Sequence, residues 1–270
     1  MLANLSQLFR YRGLIGSLVA RELKARYRGS VLGFFWSFIN PLLLLLIYTF
    51  VFAVVMPGKR EGGPENYALF MFCGILPWTW FSSSLSEAAN VLISGGNLIK
   101  KVLFPAEVLP IVTVLANLIH YLFGLSILAG FLLWYQRPLN AGELVLFPVV
   151  VVVQFILTCG FALLLSALTV HFRDIRDILS NLLTFWFFAT PIIYPYFVFD
   201  DAQVKGDWRP LLLKLNPFTH LAITYQEILF FEGPVGHFRW LLVLGVISVA
   251  FFLVSYFVFD RLRDTFAEEV

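Results

Sequence analysis

Charge is what this 270-residue chain has least of. Only 13% of its residues are Asp, Glu, Lys or Arg, against ~25% in a soluble domain, and 60% are hydrophobic. That balance excludes a soluble globular protein and implies an integral membrane protein with several spans. Cysteine is nearly absent. Cys73 and Cys159 both fall in apolar runs; this argues against a disulfide or a thiolate metal site and reads both as small buried hydrophobes. The glycine-rich phosphate loop GxxxxGK[ST] is missing, since Gly95 and Gly96 lead into Asn97 and Leu98. HExxH, CxxC pairs and GxSxG are missing too. No catalytic residue, metal site or cofactor of its own is therefore expected in this chain, and no nucleic-acid partner. Acidic groups within the apolar runs are equally scarce. Glu87, Glu107 and Glu143 sit near run ends, and strong polarity deeper in the runs comes only from Asn117, His120 and Gln154. A proton-driven carrier needs carboxylates at that depth and is disfavoured. A membrane-embedded transferase needs converging acids or histidines; only Asp174 and Asp177 approach this, and both have arginine neighbours. Energy is expected to come from outside the chain. The short early apolar stretch 14–20 runs into charge without a small-residue cleavage site, so no cleavable signal peptide is expected.

Six apolar runs remain, near 31–56, 67–93, 108–134, 144–170, 178–199 and 238–259. An even number puts both termini on one side. The segments on that side carry twelve of the nineteen Lys and Arg residues, six of them before residue 31. By the positive-inside rule both termini are cytoplasmic. The predicted fold is an all-α integral membrane domain spanning 1–270: an interface helix in 1–30, six spans in 31–259 and a short cytoplasmic tail, 260–270. In the first segment Ile15, Val19, Leu23 and Tyr27 recur every four residues and share a face, while Arg21, Lys24 and Arg28 share another. Such a helix lies in the membrane interface, apolar side down. Glu22 and Arg26 are placed to pair at i, i+4.

The connections add detail. Gly95-Gly96 breaks the second run; Asn97 is placed to cap a short helix over 98–103 carrying Lys100 and Lys101, and Pro105 ends it. This reads either as a docking peg for a soluble partner or as an ordinary positive-inside loop. In HFRDIRDI (171–178) the alternating charges read as a salt-bridged cluster at the membrane edge. His120 reads as a hydrogen-bonded residue between helices. The fifth run holds Pro191 and Pro195, each of which prevents a regular helical hydrogen bond. Beyond Asn216-Pro217, the stretch 218–231 has a helical stripe but is too short to span, and reads as a re-entrant or interfacial helix on the outer side. Irregular backbone at that depth survives only inside protein or along a cavity, which hints at a pathway. Aromatics reach 17% of the chain. Most fit an interfacial belt, but Phe185, Trp186 and Phe187 lie well inside the fifth run, and Tyr48 and Phe52 inside the first. Aromatic faces stack on the C–H faces of sugar rings and suit a long uncharged substrate.

Five stretches in order, RELKARYRGSVLGFFWSFINPLLLLLIYTFVF (21–52), NLIKKVLFPAEVLP (97–110), HFRDIRDI, TPIIYP (190–195) and LNPFTHL (215–221), resemble the membrane subunit of type-2 ABC exporters, in particular the polysaccharide branch. The resemblance covers nearly the whole chain. It implies a homodimer of this subunit in the bacterial cytoplasmic (inner) membrane, joined to two copies of a separate ATPase that binds ATP and Mg²⁺. The implied substrate is a lipid-linked polysaccharide, foremost O-antigen, with teichoic acid or capsule as alternatives and a drug or lipid as a more distant one. It also implies that the interface helix and the loop after the second span contact the ATPase; here these are Arg21, Lys24, Arg28, Asn97, Lys100, Lys101 and Phe104. Aromatics of the first, second and fifth spans line the family's channel, which points to Phe35, Tyr48, Phe52, Trp78, Phe185, Trp186, Phe187 and Tyr194.

Overall fold

In the computed structural model the described residues are 11–55, 66–101, 105–136, 141–196 and 209–269, and among them the chain is helical without a strand. Helix α1 is Arg12–Arg26. A 3₁₀ turn, Gly33–Phe35, leads into α2, Trp36–Phe50, which relaxes into a π-helical turn over Val51–Val55. Then come α3 (Tyr67–Ser94), α4 (Gly96–Lys101), α5 (Val108–Trp134), α6 (Ala141–Leu144) and α7 (Phe147–His171). The chain continues through α8 (Ile175–Phe188), α9 (Arg209–Leu215), α10 (Pro217–Leu229) and α11 (Phe238–Leu262), and a 3₁₀ turn links α11 to α12, Phe266–Glu269.

Among the described residues five helical segments are long and apolar enough to cross a membrane: Gly33–Phe50, Tyr67–Ser94, Val108–Trp134, Gly142–His171 and Phe238–Thr265. The run at 178–199, expected as a further crossing, is not one continuous helix, though Ile193 beyond its break meets Tyr67 at the far end of α3. It yields the 14-residue α8 followed by turns through Pro195. At 1.5 Å per residue α8 rises only ~21 Å, short of a ~30 Å hydrocarbon core. Pro191 is the physical reason, because its ring removes the amide hydrogen that would continue the helix.

At the centre stands α3. Most of its length is buried by its neighbours rather than left to face lipid. It packs against α5, α7, α10, α2 and α8, and buries both tryptophans, Trp78 and Trp80. Pro77 lies within α3, and the buried Gln154 of α7 donates its amide to the Pro77 carbonyl at 2.8 Å. The most extensive helix pair is α7 with α11. It depends on Gly160: a Cβ there would sit 2.8 Å from the Phe251 ring and 3.2 Å from the Phe252 Cα, so only glycine allows this approach. Cys73 and Cys159 are free thiols and buried, as read from their apolar context.

The 13-residue α10 is buried along nearly its whole length between α3, α7 and α11. Its burial matches the re-entrant reading. At this end of the bundle, α10 meets the start of α11 through polar side chains. The Glu227 carboxylate accepts the His237 backbone N–H at 3.0 Å, and its other oxygen is 3.5 Å from His237 Nδ1. His220 stacks on Trp240, its ring 5.8 Å from that of His237, and its Nε2 donates to the Lys214 carbonyl at 3.0 Å.

Burial holds the His220 imidazolium below its ordinary value near 6.5; the Lys214 carbonyl opposes this, and His237 adds to it. The folded state thus favours the neutral ring. That contribution to stability is whole above pH 6.5 and is lost as the pH falls below it through the depressed value. Thermal unfolding of the purified protein at about pH 7.5 and about pH 5.5 checks this. The melting temperature is expected to fall with acid, and to fall less in His220→Gln. Equal slopes in the two proteins would remove His220 from the account.

Candidate functional site

Two assemblies stand out, one at the end of the bundle that carries α1 and α4, the other around the break after α8. In the first, α1 lies against the start of α5. Leu18 and Val19 bury against Val108 and Val112, with Leu14, Ile15 and Leu23 packed around them. Arg21, Lys24 and Arg28 face outward and are exposed. The amphipathic register read from the sequence is therefore the one adopted. Helix α4 forms where the sequence placed a short helix, though it begins at Gly96. Lys100 is exposed on it. The side chains of Asn97 and Lys101, and the whole of Phe104, lie outside the described residues.

One member of this assembly is absent from the predicted site. Arg26 turns inward. Its guanidinium pairs with the Glu87 carboxylate of α3 and donates to Asn117 Oδ1 of α5 at 3.0 Å, and Glu22 stands 4.0 Å away. Asn117 closes the triangle by donating to Glu87 at 2.7 Å. The next residue, Tyr27, places its hydroxyl 2.8 Å from Ser37 Oγ and 3.3 Å from His120 Nδ1. The last turn of α1 is thus bonded to α2, α3 and α5 at once, and His120 has the interhelical role read from the sequence. The signal for Arg26 is in its register. It is eleven residues after Ile15, three turns at ~100° per residue, so it falls on the apolar stripe rather than with the other cations. A cation on a buried stripe requires an internal partner.

The second assembly is aromatic. Trp78 packs against Trp186, Phe187, Phe81 and Phe218, with ring centroids 4.8–6.2 Å apart. Trp186 also meets Phe81 and Phe161. Its indole N–H donates to Asn216 Oδ1 at 2.7 Å. The same oxygen accepts the Phe218 backbone N–H at 3.0 Å and so caps α10. The Asn216 amide reaches back to the Ala189 carbonyl at 3.2 Å and Thr190 Oγ1 at 2.9 Å. Gln226 donates to the Pro191 carbonyl at 3.0 Å, and the Tyr67 hydroxyl donates to that of Ile193. Side chains of α3 and α10 thus satisfy the backbone that the proline break leaves without helical partners, as an apolar surrounding demands.

The predicted aromatic residues divide accordingly. Trp78, Trp186 and Phe187 come together inside this cluster, with Trp78 buried and the other two half-buried. Tyr194 is half-buried and its hydroxyl donates to the Phe188 carbonyl at 3.0 Å. Tyr48 packs against the core, and the Phe52 side chain lies outside the described residues. Phe35 and Phe185 are brought to neither group; they face outward and are 69% and 66% exposed. Helix α8 presents Ile178, Leu182, Phe185 and Phe188 outward together with the polar Asn181 and Thr184.

Residues 13–230 match the family described as ABC-2 type transporter. Over 271 residues the chain is 42% identical to an O-antigen export system permease protein, RfbA, of Myxococcus xanthus, with 100% of each chain covered. An RfbA of Klebsiella pneumoniae is 32% identical, covering 98% of this chain and 96% of the relative. The polysialic acid transport protein KpsM of Escherichia coli is 26% identical over 79% of this chain and 80% of its own length. The bundle of long apolar helices, with its basic helix at one end, belongs to the ABC-2 type transporter family.

Proposed function

We propose that this chain is the permease of an ABC exporter that moves a lipid-linked polysaccharide, of the O-antigen kind, out across the bacterial inner membrane. The observation that carries the reading is the full-length 42% identity to a protein named as an O-antigen export permease. Capsule export ranks second, because the likeness to the polysialic acid transport protein is lower and covers less of the chain.

The permease works as a homodimer with two copies of a separate ATPase, which binds ATP and Mg²⁺. Both termini are cytoplasmic, and the exposed cations of α1 and α4 meet the ATPase. ATP-driven closure of the two ATPases displaces α1, and the Arg26–Glu87–Asn117 triangle carries that displacement into α3 and α5. The outward face of α8 supports the dimer and the pathway together. Asn181 and Thr184 are polar, and polar groups on a membrane helix favour protein or water over lipid. Phe185 and Phe188 on that face offer rings for sugar C–H faces to slide over.

Replacing Lys100 and Lys101 together by Glu is expected to abolish co-purification of a co-expressed ABC ATPase; undiminished co-purification and export would remove α4 from the docking surface. Phe185→Ala with Phe188→Ala is expected to lower polymer export while unfolding stability changes by only about 0.5 kcal/mol, because both side chains are exposed. Normal export in that variant would take α8 out of the pathway. The two native thiols are buried, so Phe185→Cys supplies an accessible one. Treatment of membranes with a short thiol cross-linker should give a species at twice the monomer mass on a denaturing gel. Monomer alone would overturn a dimer contact through α8.

A further inference from the structure

The last residues of the described chain fold back against α4 and α5, beyond the segment 13–230 that the family description matches. Glu107, the residue before α5, is buried, with its side chain only 3% exposed. A carboxylate withdrawn from water needs a counter-charge. Arg263, just past α11, stands nearest, with Nη1 3.7 Å from Glu107 Oε2, an ion pair without a hydrogen bond. Three residues later Phe266 is wholly buried in a cluster with Leu92 of α3, Ala106 and Leu109 beside Glu107, Ala167 of α7 and Phe259 of α11. Between them Thr265 Oγ1 lies 3.3 Å from His171 Nε2 at the end of α7. Helix α12 itself packs on α4. A four-residue helix has no stability of its own. It stays because Phe266 and Arg263 are held, and the contacts act equally on what they touch.

We infer that Arg263 and Phe266 are positioning residues: the C-terminal segment braces α4 and the Glu107 turn from behind, so that a push on α4 reaches α3, α5 and α11 instead of bending the loop. This rests on α4 being the docking element of the proposed exporter. The brace explains how a helix of six residues that follows Gly95 and precedes Pro105 transmits force. Gly95 sits tightly against Leu109, where a Cβ would come within 2.9 Å, so the loop has a rigid seat on the α5 side as well.

Hydrogen exchange on the purified full-length permease tests the brace without any ATPase. In Arg263→Ala and in Phe266→Ala the amides of 96–101 are expected to exchange about tenfold faster, while those of α3 and α7 are unchanged. Arg263→Lys should keep the slow exchange. In Glu107→Gln with Arg263→Gln both charges are gone, so exchange should return toward wild type relative to Arg263→Gln alone. Export should fall several-fold in the alanine variants while a co-expressed ABC ATPase still co-purifies and hydrolyses ATP. Unchanged exchange in both alanine variants overturns the brace whatever export does. Faster exchange with full export overturns its part in coupling. A wild-type permease that captures no ABC ATPase overturns the exporter reading instead, and leaves the brace to be judged on exchange alone.

Discussion

A polar group drawn into an apolar bundle has to find its partner within the protein, and this molecule is arranged around three such obligations. Arg26 lies on the buried stripe of α1 and is met by Glu87 and Asn117. The backbone freed by Pro191 is met by Asn216, Gln226 and Tyr67. Glu107 is met by the charge of Arg263 at 3.7 Å, without a hydrogen bond. Each joins segments far apart in sequence, and each removes an alternative packing, because sliding one helix by a turn would strand a charge or a carbonyl. Apolar contact alone is less selective: in lipid, a Leu-rich face fits a tail as well as another helix.

What the sequence made legible follows from range. The six apolar runs were readable because length and hydropathy are local, and so was the break in the fifth, since Pro191 acts on its own helix. The exposed basic face of α1 was readable from the 3.6-residue period. The same period held the signal for Arg26, which was read only as the partner of Glu22. Its true partners are 61 and 91 residues away, and no local rule pairs α1 with α3 and α5. Asn216-Pro217 was read only as the point beyond which the short outer helix begins. That Asn216 caps α10 is a local matter; that its amide faces the broken end of α8 is not. The tail was short and mixed in sign, and its place is set by Phe266 finding a cluster built from four other elements.

The aromatic content was read as a possible channel wall, and the structure divides it into two kinds. Trp78, Trp186 and Phe187 interlock with Phe81, Phe161 and Phe218, and Trp186 also holds Asn216. Their edge-to-face geometry and shared burial fix the seat of α10. Phe35 and Phe185 are free of that work and face outward, and the exposed Phe188 touches the cluster through Phe187. Composition does not separate these kinds, because one turn of α8 contains both the exposed Phe185 and the half-buried Trp186, about 100° apart around the helix. Only the helix phase separates them.

These assemblies are not independent, because α3 runs through them. Glu87 near one end holds Arg26, Trp78 in the middle holds the aromatic cluster, and Tyr67 at the other end holds the Ile193 carbonyl. At 1.5 Å per residue its 28 residues extend ~42 Å, so one helix reaches from the basic face to the break after α8. Pro77 would be its natural flexing point, but Gln154 of α7 ties down the Pro77 carbonyl and the surrounding side chains are buried. A close-packed helix of this kind responds to a displacement at Glu87 by moving as a whole, since its neighbours leave no space for local bending. The residues that cap the broken segment must then follow, because letting go of the Ala189, Pro191 and Ile193 carbonyls would leave them unpaired in an apolar interior.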